Sequence, residues 1–242
     1  MKKVICFALF VSVLSLCAAE VDINKYRSEK LAKKTENIVW NVSYSYNARD
    51  TKSPRVLLVG DSVCRGYHSL VRDMLASKVN ISYWATSNCI TDPFYLPALE
   101  LMLAKERYDL IIINNGLHSL STDLTAWRNS YMKVLDYLEK RVPETGVVVL
   151  NSTPKKDGDQ NVDKINAITA EIAAQKKLSL ADIHSLCKNW SKKNWRDNYH
   201  FAGAARKKQA EFVVSVILKH IKRVGSGIIQ AGSETGPDGK IK

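Results

Sequence analysis

The chain has 242 residues, 45% hydrophobic and 25% charged, which suits one globular domain with a sizeable core and excludes a disordered chain. Its formal net charge is +12, yet no nucleic-acid motif and no aromatic-basic interleaving accompanies the basic residues. The excess reads as a solvated basic face, with anionic polymers or envelope surfaces as the partners such a charge would favour.

Residues 1–19 stand apart. Lys2 and Lys3 precede an apolar run from Val4 to Leu16, then Cys17-Ala18-Ala19. A charged start, a short apolar core and a small-residue exit make the pattern of a secretory signal peptide, cleaved after Ala19. The expected location is periplasmic or extracellular. A lipid anchor through Cys17 is opposed by the bulky Leu16 before it. The run is too short to span a bilayer comfortably, and no second run is long enough, so stable membrane insertion is not expected. Removing the signal lowers the charge from +12 to +10 through Lys2 and Lys3, and leaves three of five cysteines, Cys64, Cys89 and Cys187. Their spacing fits no zinc site.

Residues 20–54 form a polar lead-in, with a short helix around Lys25–Asn37 and an extended segment through Trp40–Tyr46. Val56–Val59 is a continuous apolar strand, followed by a helix over Val63–Ala76. Val79–Ala85 is a second core strand, Leu96–Lys105 a helix, Leu110–Ile113 a third strand, and Leu124–Arg141 a helix with its apolar residues at helical spacing. Val147–Leu150 is a fourth strand, Asp163–Lys176 a helix, Leu178–Ile183 a short strand, and Ala204–Arg223 the last helix. The domain spans residues 55–224, and residues 225–242 are a Gly- and Ser-rich tail. Short apolar strands alternating with helices are the mark of βαβ units and a parallel sheet covered on both faces.

In such sheets ligands bind beyond the carboxyl ends of the strands. The strand runs here empty into Gly60-Asp61-Ser62, Thr86-Ser87-Asn88, Asn114-Asn115-Gly116 and Asn151-Ser152-Thr153, so the expected crevice is polar throughout. Ser62 has two readings, a helix N-cap or a nucleophile whose oxyanion is favoured by a helix N-terminus. A serine nucleophile needs a base. Of five histidines, His200 stands out because Asp197 lies three residues earlier, placed to orient the imidazole. Either Asn114 or Asn115 could donate to an oxyanion from its side chain, with the Ser62 N–H and residues 87–89 as further donors.

These blocks, Gly-Asp-Ser, an asparagine turn after a middle strand and Asp-x-x-His, occur in order from residue 55 to 203 and resemble the SGNH (GDSL-type) hydrolases. The resemblance implies a three-layer α/β/α sandwich on a flavodoxin-like parallel sheet. It implies Ser62 as nucleophile, His200 as general base and acid, Asp197 as its orienting partner, and Asn114, in preference to Asn115, as oxyanion donor. No metal or cofactor is called for. Two departures stand out. The stretch Ala85–Pro93 lacks the family's second-block glycine, leaving Ser87, Asn88 or Cys89 to supply that N–H, and a missing donor would cost about 3 kcal/mol of transition-state stabilisation. Ile112 stands where the third block usually has glycine.

His118, just past the asparagine turn, either touches substrate or caps the next helix, and Asp61 is a second candidate substrate contact. His68 either lines the cleft or serves a helix face. His184 and His220 read as surface or packing residues. The expected neighbourhood of the two loops suggests a Cys64–Cys89 disulfide. The implied activity is an exported serine esterase acting on small acyl esters, acetyl first, of a small molecule or glycan. The alternatives are an O-acyltransferase using the same triad, or a non-catalytic carbohydrate- or envelope-binding protein on this scaffold.

Overall fold

The computed structural model describes residues 21–29 and 37–221. The expected signal peptide with Cys17, most of the helix expected over 25–37 and the expected tail from 225 lie outside the described residues. Ile23–Lys25 forms one 3-10 turn, and residues 27–29 carry no helix.

Among the described residues six strands form one sheet: β1 (Asn41–Ser45), β2 (Arg55–Gly60), β3 (Asn80–Thr86), β4 (Leu110–Ile113), β5 (Gly146–Leu150) and β6 (Ser179–Ala181), in the order β1-β3-β2-β4-β5-β6. All neighbouring pairs are parallel except β1 with β3. The sheet is therefore mixed. The lead-in supplies an antiparallel edge strand to the sheet that the sequence predicts as parallel. Taken alone, the five parallel strands follow the flavodoxin-like doubly wound order. Their switch point lies between β2 and β4, where chain connections leave in opposite directions and open a crevice.

Among the described residues six helices cover the sheet: α1 (Ser62–Met74), α2 (Tyr95–Lys105), α3 (Leu124–Arg141), α4 (Gln160–Gln175), α5 (Ile183–Cys187) and α6 (Gly203–His220). Successive strand residues face opposite sides, which divides the core in two. Val56, Leu58, Leu110, Ile112, Val148 and Leu150 pack with α1, α5 and α6. Leu57, Val59, Ile111, Ile113 and Val149 pack with α2, α3 and α4. Both faces being covered explains why β2 and β4 read as unbroken apolar runs.

Two boundaries move for one reason. Asp159 caps α4, accepting the Asn161 N–H at 2.8 Å, so the helix starts at Gln160 rather than Asp163. Asp182 caps α5, accepting the Ser185 N–H at 3.0 Å, so β6 stops at Ala181 and Ile183 is already helical. An aspartate ahead of a helix satisfies first-turn amides that otherwise lack acceptors, and both caps override the apolar pattern.

Candidate active site

At the end of β2 the chain must turn sharply into α1. A Cβ on Gly60 would lie 2.6 Å from Cys64 Cβ, so only glycine lets the strand end pass this close to the helix. Asp61 then caps α1, its carboxylate accepting the Val63 N–H at 2.8 Å. The capping role thus falls to Asp61 and not to Ser62. Asp61 is buried, with 4% exposure, and spends its carboxylate inside the turn rather than toward substrate. Ser62 becomes the first helical residue, half-buried, with its hydroxyl directed elsewhere.

That hydroxyl meets His200. Ser62 Oγ lies 2.8 Å from His200 Nε2, and both Asp197 oxygens lie 2.9 Å from His200 Nδ1. With Nδ1 facing a carboxylate, its proton stays there, and Nε2 is left to accept the serine proton. Two stretches, 138 residues apart in sequence, converge on this line.

Asp197 is held as firmly as it holds. Its Oδ1 accepts the N–H groups of Tyr199 at 2.9 Å and His200 at 2.8 Å. Desolvation pulls its carboxyl up, but these amides and the imidazole outweigh that and hold it well below the usual carboxylate range. The loop closes where Trp195 bridges Phe201, and Arg196 N–H donates to the His200 carbonyl at 2.8 Å. Behind it the Trp195 and Phe201 rings pack with centroids 4.3 Å apart. From the β5–α4 loop, Lys156 N–H donates to the Asn198 carbonyl at 3.0 Å. The His200 side chain remains 30% and that of Asp197 45% exposed, so the pair stands on an open rim.

The oxyanion donors are less complete. Asn114 leaves β4 beside the start of α1: its N–H donates to the Val59 carbonyl at 2.9 Å. Its side-chain amide donates to the Leu150 carbonyl at 2.9 Å and to Ser152 Oγ at 3.3 Å, so in this arrangement the expected donor is engaged with β5 and the residue pair that follows it. Only the longer of these bonds is readily exchanged for a substrate oxygen. Asn115 is structural: it donates to the Asn88 carbonyl at 3.0 Å and accepts the Ile90 N–H at 3.0 Å, clamping the loop after β3. Of the second-block amides, Ser87 donates to the Trp40 carbonyl at 3.1 Å and Asn88 to Thr86 Oγ1 at 3.0 Å. Neither replaces the missing glycine donor. The Asn88 backbone, expected to face an oxyanion, is instead bonded within the site's own loops, to Thr86 and Asn115. The Ser62 N–H, in the first turn of α1 where amides lack intrahelical acceptors, remains suited to that task.

The expected disulfide is absent. Cys64 and Cys89 are free and buried. Cys64 packs with α6 on one face of the sheet, and Cys89 packs with α2 and α3 on the other. The loops are neighbours, but their cysteines point to opposite sides. Burial pushes the Cys64 thiol up to about 12, which makes it an inert core residue beside the serine.

The other histidines separate by environment. His68 is buried and stacked on Tyr83 with centroids 3.6 Å apart; its Nδ1–H donates to the Arg65 carbonyl at 2.8 Å, and Nε2 meets Tyr46 Oη at 3.2 Å. It serves packing. His118 lies in a 3-10 turn, edge-on to Trp40 with centroids 6.1 Å apart. His184 is half-buried near Asn166 Nδ2, at 3.0 Å. Among the described residues, no group of three or more His, Cys, Asp and Glu could hold a metal, and no helix is long and apolar enough to cross a membrane.

Known structures share this architecture. An acetyl xylan esterase superposes with a TM-score of 0.58 at 18% identity, over 67% of this chain and 99% of its own. A Slackia heliotrinireducens protein described as an SGNH hydrolase superposes with a TM-score of 0.54 at 18% identity, over 69% of this chain and 100% of its own. The chain has the SGNH-hydrolase fold. A further SGNH-fold match is a carbohydrate esterase family 3 protein from Talaromyces cellulolyticus, with a TM-score of 0.56 at 14% identity, covering 69% of this chain and 98% of the other. No family model matches the chain, and no curated protein matches its sequence. The SGNH likeness thus lies in the backbone path and in a few blocks, not in overall sequence.

Proposed function

We propose that this protein is an exported serine esterase that removes small acyl groups, acetyl first, from carbohydrate esters. The observation that carries the reading is the continuous line Asp197–His200–Ser62, with 2.9 Å and 2.8 Å links. His200 Nε2 takes the Ser62 proton as Oγ attacks the ester carbonyl. Asp197 keeps the imidazole in the correct tautomer and stabilises the cation that forms. The Ser62 N–H and the Asn114 amide hydrogen now shared with Ser152 receive the oxyanion. His200 then protonates the departing alcohol, and water repeats the cycle on the acyl-serine.

Support for a carbohydrate ester comes from two directions. The His200 and Asp197 side chains stand exposed at the rim, and folds of this kind include an acetyl xylan esterase and a family 3 carbohydrate esterase. Support for export is the signal-peptide pattern of residues 1–19. The test is a panel of acetylated sugars and p-nitrophenyl acetate, run on the wild type and Ser62→Ala. The wild type is expected to turn over at least one ester, and Ser62→Ala to lose on the order of 10⁴-fold or more in kcat. Equal rates for the two proteins would overturn the assignment.

A further inference from the structure

We propose that Arg65 and Trp40 form a specificity subsite beside Ser62 that selects esters of acidic glycans, whose sugar units carry carboxylates. This rests on the esterase reading above and names its substrate class.

Arg65 lies three residues after Ser62 on α1, so both share one helix face, and helical side chains lean toward the N-terminal end, which here is the site. It is exposed, and its guanidinium sits 5.8 Å from the Trp40 ring centroid. Arg55, Arg72, Arg141 and Arg196 each lie against a carboxylate. Among the described residues no carboxylate pairs with the Arg65 side chain, which lies over the Trp40 ring.

Trp40 is fixed to the same end of the sheet. Its N–H donates to Ser87 Oγ at 2.9 Å, and its carbonyl accepts the Ser87 N–H at 3.1 Å and the Thr86 hydroxyl at 3.2 Å. These bonds anchor it to the exit of β3, next to β2 and Ser62. A guanidinium held over an indole keeps its planar fork free for bidentate recognition of a carboxylate, which a lysine would not reproduce. Trp40 is thus a positioning residue and Arg65 the group that reads the anion. The net charge, +12 for the full chain and +10 once Lys2 and Lys3 are removed with the signal, adds a long-range attraction for a polyanion.

The experiment compares kcat/KM on acetylated polygalacturonate with that on acetylated neutral xylan at low salt. The wild type is expected to favour the acidic polymer. Arg65→Gln is expected to cut the acidic-to-neutral ratio about tenfold or more, the worth of one lost charge-assisted contact, mainly through KM. Arg65→Lys should recover part of the ratio, and raised salt should erode it in the wild type. A second arm needs no catalysis: the Ser62→Ala protein is titrated with unesterified polygalacturonate and with neutral xylan, with and without Arg65→Gln. Preferential binding that Arg65→Gln abolishes supports the subsite even if no ester is turned over. The subsite is overturned by equal binding of the two polymers, or by an acidic-to-neutral ratio that Arg65→Gln leaves unchanged. Inactivity of the wild type on every ester would instead overturn the esterase reading.

Discussion

On the proposed mechanism Asp197 both orients His200 and supports its positive charge. Its carboxylate fixes the His200 tautomer, so Asp197→Asn would present an amide donor to Nδ1 and turn the ring proton toward Ser62. By this logic kcat should fall by on the order of 10³–10⁴, with KM little changed, in steady-state assays on p-nitrophenyl acetate. A loss below about tenfold would mean that the open rim lets water take over the orienting role. On the proposed mechanism Asn114 has two duties. Asn114→Ala would remove the proposed oxyanion donor and also free the Leu150 carbonyl, so kcat should drop about 10²–10³-fold together with a lower melting temperature. A change in stability without a change in kcat would leave Asn114 as scaffold alone. The meeting of Ser62, His200 and Asp197 was legible because Gly-Asp-Ser and Asp-x-x-His are local patterns. The capping role of Asp61 could have been read too, since aspartate before a helix start is a strong cap. The engagement of Asn114 with Ser152 could not, because 38 residues separate them.

Elements meet at the site through close approaches. A Cβ on Gly116 would lie 1.9 Å from Ser152 Oγ and 3.0 Å from Ser152 Cβ, so the turn after β4 passes directly over the exit of β5. Gly116→Ala should therefore destabilise the fold by about 1–3 kcal/mol in urea titration, and adding Ser152→Ala should restore part of that by removing the nearest atom. Additive losses in the double variant would contradict this packing. His68 joins α1 to the sheet edge through Tyr46 and Tyr83. Burial, helped by Arg72 and Arg65 nearby, pushes its folded value below the ordinary 6.5, while the unfolded chain regains it. The unfolded state therefore binds a proton first as pH falls. This contribution to stability is complete above about 6.5 and declines below it, by at most about 1.4 kcal/mol per pH unit. His68→Phe keeps a stacked ring without the proton, so the wild type should lose stability relative to it between pH 7.5 and 5.5; parallel curves would refute the link.

At the scale of the molecule, the apolar runs of β2, β4 and β5 marked a buried parallel sheet, and the polar residues they empty into marked the crevice. The direction of β1 was not readable, because an edge strand's own residues do not say whether its partner runs parallel or antiparallel. The disulfide failed for a related reason: loops that adjoin at a switch point can send their side chains to opposite faces of the sheet. What the sheet order does is bring the exit of β2 and the loop before α6 to one end. On the proposed mechanism this convergence makes Ser62 a nucleophile, which intact mass spectrometry with peptide mapping after treatment with a fluorophosphonate would reveal. One adduct is expected on Ser62 in the wild type, none in Ser62→Ala, and far slower labelling in His200→Ala. An unlabelled wild type, or an adduct formed equally fast without His200, would contradict it.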